Sequence, residues 1–332
     1  PDRDAASRLL HAGRREARLM LDMLWEQYRH GGYEAVRQAS PDMALDRFYL
    51  ALLAFAEDDF PWAAASARAA ARQDRKNMLY EQATRYLERV LAEGKAAVYV
   101  DGEAFAAFVR GGSNVELYAQ ASEALHAVYD EYESLSLLDI GVGDGLALLQ
   151  ALTQNISRLD LIEPSDAMLA QTTRQLDAWH VPYRAHAMTI QEFMKANGAT
   201  WDVIQATWSL QSIPPAERPG IFAWLREHGK RVLIAEFDVP EFLELYEPDR
   251  VRHIIGRYRD GLAEYADDGG LVAQGFLMPI FFGYFDRTAA RTNYEGPIAA
   301  WADGLQAAGF DQIETRKLYP YWWADAYLID AR

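Results

Sequence analysis

Two textures of apolar and polar residues divide the chain. Through residues 1–95 apolar side chains recur at helical spacing, and no strand-like run interrupts them. Asp4 caps a predicted helix to about Arg29, with the stripe Leu9, Leu10, Leu19, Met20, Met23 and Leu24, and Gly31-Gly32 stops it. Ser40-Pro41 opens the next as an N-cap followed by proline and carries it to about Glu57. Beyond the break Asp58-Asp59-Phe60-Pro61, an alanine-rich helix runs to about Arg72, and a further one spans roughly Asn77 to Ala92 before Gly94. Short connections make these helical hairpins.

From residue 96 the texture changes to short apolar runs separated by amphipathic stretches, as in a parallel sheet covered by helices. Strands are expected at Ala97–Val100, before a turn at Asp101-Gly102, and over Leu137–Ile140, Leu159–Ile162, Trp201–Trp208 and Arg231–Asp238. Helices are expected over Val115–Tyr132, Leu146–Gln154, from Ser165 onward, over Pro248–Tyr265 and over Ala299–Ala308, where Gly309 stops the last. Two final strands follow at about Gln312–Tyr319 and Trp322–Ile329.

The chemistry concentrates where Leu137-Leu138-Asp139-Ile140 runs into Gly141-Val142-Gly143-Asp144-Gly145. Glycines on alternate positions let backbone amides approach a ligand and take turns that a Cβ would obstruct. A dinucleotide fold wants G-x-G-x-x-G, with a pyrophosphate at the following helix. Here the spacing is G-x-G-x-G, and Asp139 precedes it, where a pyrophosphate would be repelled and a cationic amino-acid group attracted.

With that motif the sequence resembles the class I S-adenosylmethionine-dependent methyltransferase family. The resemblance covers roughly residues 96–332 and has two further supports: the strand ending Leu161-Ile162-Glu163-Pro164-Ser165, and Trp201-Asp202-Val203-Ile204-Gln205-Ala206-Thr207-Trp208 as a fourth strand and the loop beneath the cofactor. It implies a Rossmann-like α/β fold, with a seven-stranded, mostly parallel sheet finished by an antiparallel C-terminal hairpin. It also implies S-adenosyl-L-methionine as cofactor and S-adenosyl-L-homocysteine as product. The residues it assigns to the cofactor are Asp139, Gly141, Gly143, Gly145, Glu163 toward the ribose hydroxyls, Pro164, Met168 near the adenine, Gln205, Thr207 and Trp208. Where relatives carry an acid for the adenine amino group, this chain reads His186-Ala187-Met188-Thr189-Ile190-Gln191-Glu192-Phe193. Adenine recognition then falls to backbone around Thr189 and Ile190, with Gln191 beside them.

Before the first motif, Gly111-Gly112 is either a hinge for a lid that brings Asn114 and Tyr118 to the cofactor or a helix stop with Asn114 as the next cap. After the Arg231–Asp238 strand, residues 241–293 exceed a minimal connection, and the run Phe276–Phe285 either lines an acceptor pocket or is ordinary core. On this reading residues 1–95 form an all-α domain serving as cap or homodimerisation module, and residues 96–332 the cofactor domain. Leu52, Phe55, Ala64 and Ala71 fall near tetratricopeptide spacing, although a single unit of such a repeat cannot bury its faces alone.

Composition narrows the chemistry. A formal net charge of −16 and the lack of a dense Lys/Arg run argue against a nucleic-acid partner. No apolar run nears the about 18 residues of a membrane span, and no signal peptide is recognisable, so a cytoplasmic protein without a membrane partner is expected. The absence of cysteine excludes disulfides and thiolate sites, and no spacing suggests a metal centre. The expected reaction is methyl transfer to a small-molecule substrate of specialised metabolism. A base is needed where the acceptor must lose a proton. Candidates are His253, Tyr118 and Tyr284, with His180, His186, Trp208, Glu236 and Asp238 also considered. Two alternatives stay open: a methyltransferase-like protein catalysing a non-methylating step such as ring closure, and a non-catalytic helical interaction protein.

Overall fold

The computed structural model describes residues 20–95, 101–196 and 198–332. Two compact units emerge, one from the chain up to Gly112 with Phe242–Ala289, the other from Ser113–Glu241 with Ala290–Arg332. By packing, most of the long insertion belongs with the N-terminal helices, whereas chain position alone grouped it with the sheet. The expected strand at Ala97–Val100 and the Asp4 end of the first helix lie outside the described residues.

The first unit is helical: α1 (20–31), α2 (Ala44–Ala56), α3 (Phe60–Gln73), α4 (Met78–Glu93), α5 (Gly102–Val109), α11 (Pro248–Ala263) and α12 (Met278–Gly283). Helix α2 starts later than its Ser-Pro signal implied. Met43 is still extended at φ −94 and ψ 142, and the Asp42 carbonyl is occupied by the Gln73 amide of α3. Asp101-Gly102 is a helix start rather than a turn, because the Asp101 carboxylate caps the N–H groups of Glu103 and Ala104 at 2.7 and 3.0 Å. Asp59 caps α3 in the same way, accepting from the Trp62 N–H at 3.3 Å. The core of this unit absorbs the insertion's aromatic run. Phe281, Phe282 and Phe285 are fully buried, with Phe282 stacked on Tyr86 at 4.8 Å and Phe281 against Phe48 at 5.9 Å. That is the core reading of Phe276–Phe285 rather than a pocket lining.

The second unit holds α6 (Asn114–Tyr129), β1 (Leu135–Ile140), α7 (Leu146–Ala151), β2 (Ile156–Ile162), α8 (Asp166–Ala178), β3 (Arg184–His186) and α9 (Ile190–Ala196). It continues with β4 (Trp201–Thr207), α10 (Arg218–His228), β5 (Gly229–Phe237), α13 (Ile298–Ala307), β6 (Ile313–Pro320) and β7 (Asp325–Ala331). Helix α7 ends before the expected Gln154 because Leu152 is extended at φ −56 and ψ 139. The seven strands lie in the order β3-β2-β1-β4-β5-β7-β6, and only β7 runs antiparallel to the other six. This is the Rossmann-like class I sheet, with its antiparallel C-terminal hairpin.

Strand periodicity explains the three layers, since alternate residues must face opposite sides. Leu138, Ile140, Ile204, Ala206, Val232 and Ile234 pack with α9, α10 and α13 on one face. Leu135, Leu137, Val203, Leu233 and Ala235 pack with α6, α7 and α8 on the other. One buried cation pins the far side of the sheet. Arg231, 5 % exposed, binds Asp330 at 2.6 Å and Glu131 at 2.6 Å, joining β5, β7 and the segment after α6. We expect Arg231→Ala to cost about 2–3 kcal/mol in urea unfolding, since it strands the largely buried Asp330 carboxylate and releases the exposed Glu131. Lys230→Ala, at the exposed neighbouring pair with Asp202, should leave the urea midpoint nearly unchanged.

Candidate functional site

Parallel strands end on a common edge, and the strand order reverses between β1 and β4, the place where open α/β sheets hold ligands. The glycine turn leaves β1 there. Gly141 sits at φ +71, and a Cβ on it would lie 2.4 Å from the Ser209 Cβ, so the turn and the segment after β4 fit only without a side chain. Ser209 in turn donates its hydroxyl to the Ile140 carbonyl at 2.6 Å. Gly143, at φ +58, faces no atom within 4 Å, so a side chain there would project into open space beside the turn.

Internal bonds hold this turn. The Gly141 and Val142 N–H groups donate to the Ile162 carbonyl at 2.7 and 3.2 Å, and the buried Thr172 hydroxyl donates to the Gly143 carbonyl at 2.8 Å. Glu163, 7 % exposed, accepts from the Gly143 N–H at 3.0 Å on one oxygen and from the Ser165 N–H at 2.8 Å on the other. Each oxygen keeps a further lone pair for a ligand hydroxyl.

Asp139 lies behind the turn, 3 % exposed, and takes the Gln205 amide N–H at 2.8 Å. The Gln205 carbonyl accepts from the Tyr129 hydroxyl, so both ends of Gln205 are engaged within the protein. Its side chain positions Asp139. Burial pushes the Asp139 carboxyl up to about 7, opposed by the Gln205 hydrogen bond and aided by the Glu163 charge. Glu236, at the end of β5, is pushed up to about 8 by burial, opposed by the Gln211 N–H bond and raised further by Glu295.

An aromatic series crosses the same edge. Tyr118 meets Trp208 edge-on at 4.9 Å, Trp208 stacks on Phe237 at 5.7 Å, and Phe237 stacks on Tyr321 at 5.4 Å. Asn114 is buried and accepts from the Tyr321 hydroxyl at 3.0 Å. Trp208 takes φ +50, a left-handed conformation that is costly for a bulky side chain.

The structure thus gathers Asp139, the three glycines, Glu163, Thr207, Trp208, Tyr118 and Asn114 along one edge. Pro164 and Met168 lie beyond Glu163, where the Ser165 hydroxyl caps α8 by accepting from the Met168 N–H at 3.4 Å. At the end of β3, Thr189 bonds Glu192 through its N–H and hydroxyl, both at 2.9 Å, while Ile190 is buried and the Gln191 amide donates to Glu217. His253 and Tyr284 belong to the other unit. Burial, with Arg257 and Arg250 nearby, pushes the His253 pKa down. Sequence reading missed Thr172, Ser209 and Tyr129. No local motif marks them, because their hydroxyls matter only through partners far along the chain. Among the described residues no cluster has the makings of a metal site, and no helix is long and apolar enough to cross a membrane.

No family model and no curated relative matches the chain. Among solved structures it is similar to a proposed O-methyltransferase from Nostoc punctiforme, at 15 % identity and TM-score 0.43, over 65 % of this chain and 56 % of that one. The chain thus spans little more than half of that protein. It is also similar to the 1,6-didemethyltoxoflavin-N1-methyltransferase of Burkholderia thailandensis, at 17 % identity and TM-score 0.44, over 65 % and 77 % of the two chains. A third likeness is to the magnesium protoporphyrin IX methyltransferase of Synechocystis, at 11 % and TM-score 0.43, over 69 % and 89 %. All three likenesses are distant, and the fold assignment rests on the sheet's own order.

The raised carboxyls have a measurable consequence. Both bind their protons more tightly folded than unfolded, so the stability they contribute is full below about pH 4 and is lost as pH rises through about 7 for Asp139 and about 8 for Glu236. Urea unfolding should therefore show stability falling across that window, by up to about 1.4 kcal/mol per pH unit for each group. Glu236→Gln should flatten the upper part of the fall and exceed the parent protein in stability at pH 8.

Proposed function

We propose that the chain transfers a methyl group from S-adenosylmethionine to a small, apolar or aromatic acceptor and releases S-adenosylhomocysteine. The observation that carries this reading is the open Gly143 cradle bordered by two buried acids, Glu163 and Asp139. Glu163 would hold the ribose hydroxyls through the lone pairs its two amide bonds leave unused. Asp139, held by Gln205, would favour the cationic amino-acid end, and Thr207 and Trp208 would close the site beneath. Bound adenosylmethionine would supply an electrophilic methyl group on a sulfonium.

The protein's part is alignment and exclusion of water, which is most of what a pre-activated donor needs. Tyr118 and Trp208, the half-buried members of the aromatic series, offer flat apolar faces along the edge, consistent with an aromatic acceptor. No acid or base among them is required where the acceptor already carries a free lone pair. His253 and Tyr284, in the helical unit, are not needed for this account.

Calorimetry should show S-adenosylhomocysteine binding to the protein, and Gly143→Arg, which fills the cradle, should weaken it at least about 100-fold while the fold persists. Undiminished binding by that variant would refute the placement of the cofactor. Incubation of the protein and adenosylmethionine with a metabolite extract should produce a species heavier by one CH2, detected by mass spectrometry.

The Asp139 environment adds a pH signature. A ligand ammonium draws Asp139 to its charged form, so binding releases a proton below about pH 7. Affinity for S-adenosylhomocysteine should rise with pH up to that point and then level off. Asp139→Asn should abolish the rise, and an unchanged profile would remove Asp139 from this role.

A further inference from the structure

The segment Thr207–Gln211 is held firmly yet leaves polar atoms unspent. The Trp208 N–H donates to the Ala235 carbonyl at 2.9 Å, the Ser209 hydroxyl to Ile140, and the Gln211 N–H to Glu236 at 3.0 Å. The Gln211 carbonyl accepts from the Tyr294 N–H at 2.7 Å. Against this frame, three buried atoms, Thr207 Oγ1, Trp208 Nε1 and Gln211 Oε1, have no hydrogen-bond partner among the described residues. Buried polar groups are nearly always paired, so three within five residues call for a partner of their own. The left-handed Trp208 backbone is a second, independent sign, because such strain persists where a functional orientation is imposed.

The identities of the free atoms are determined. The Gln211 amide nitrogen donates to the Trp208 carbonyl at 3.0 Å, so its oxygen, an acceptor, is the end left over. The indole Nε1 is a donor only, and the threonine hydroxyl serves as either. The Gln211 amide bonds the Trp208 backbone carbonyl, so the unspent donor and the unspent acceptor belong to two residues joined by one hydrogen bond.

Resting on the methyltransfer reading, we propose that this edge recognises the acceptor by a neutral, planar group carrying a hydrogen-bond acceptor and a donor side by side, as in a lactam or carboxamide. The acceptor atom takes the Trp208 N–H, the donor reaches Gln211 Oε1, and the Tyr118 ring packs against the plane. A carboxylate is disfavoured, since it offers no donor to Gln211. The Arg218 guanidinium is already engaged by the Ile213 and Tyr294 carbonyls and by the Trp301 face at 3.9 Å. An ammonium is disfavoured because it cannot accept from the indole.

The test uses the full chain with 15N-labelled indoles, saturated with S-adenosylhomocysteine, with the Trp208 signal assigned through Trp208→Phe. Titration with 2-pyridone, which carries adjacent C=O and N–H groups on a flat ring, should shift that signal saturably, and toluene and benzoate should not. Gln211→Met should weaken 2-pyridone by about fivefold or more, the worth of one neutral hydrogen bond, while affinity for S-adenosylhomocysteine stays within twofold as the check on folding. No saturable shift, an equal response to toluene, or an unaffected Gln211→Met would overturn the proposal. The titration is repeated without the cofactor product. Failure of S-adenosylhomocysteine to bind would count against the methyltransfer reading alone, and the pyridone result would still decide the edge.

Discussion

A buried carboxylate at the end of a parallel strand is the constraint around which the second unit is arranged. Asp139 has almost no access to water, so its charge or its proton must be accommodated by the protein. Gln205, its register partner on β4, supplies the amide, and Tyr129 on α6 orients that amide from behind. Three elements are thereby committed to one side chain before the glycine turn begins. Glu163 repeats the device from β2, tying its carboxylate to the amide of Gly143. The two acids interact, and that interaction adds to the burial that holds Asp139 toward its neutral form.

The sheet makes this arrangement affordable. Its two faces are sealed by separate apolar clusters, and the cost of the polar edge is offset by burial along every central strand. The segment after β4 then carries the strain. Trp208 is held left-handed by bonds to β5 and by stacking on Phe237, and Ser209 fills the space that Gly141 leaves open. Rigidity of that kind keeps polar atoms pointed at a fixed place, which is what a site depending on alignment requires.

Much of this was legible in the residues, for identifiable reasons. The strand assignments rested on continuous apolar runs, which strands covered on both faces must have, and β1, β2, β4 and β5 follow them closely. Gly141 to Gly145, Asp139 and Glu163 were readable because local backbone needs and acid placement leave a mark within a few residues. Helix starts were less so. The Ser40-Pro41 signal was overridden by Met43 and by a contact from Gln73, and Asp101-Gly102 resembled a turn until Asp101 was seen to cap α5. The aromatic run near Phe281 could equally line a pocket or fill a core, and only its packing against Phe48 and Tyr86 decided it.

The sequence by itself determined the alternation of strand and helix, the glycine turn and the two acids beside it, because these depend on neighbours a few positions away. Only the tertiary structure decided that Gln205 serves Asp139, that Thr172 and Ser209 brace the turn, and that residues 242–289 join the N-terminal helices. It also decided which atoms of Thr207, Trp208 and Gln211 stay free. The physical reason is range: hydrogen-bond satisfaction and burial are settled between residues tens of positions apart, and no local pattern encodes which of two chemically equal partners will arrive.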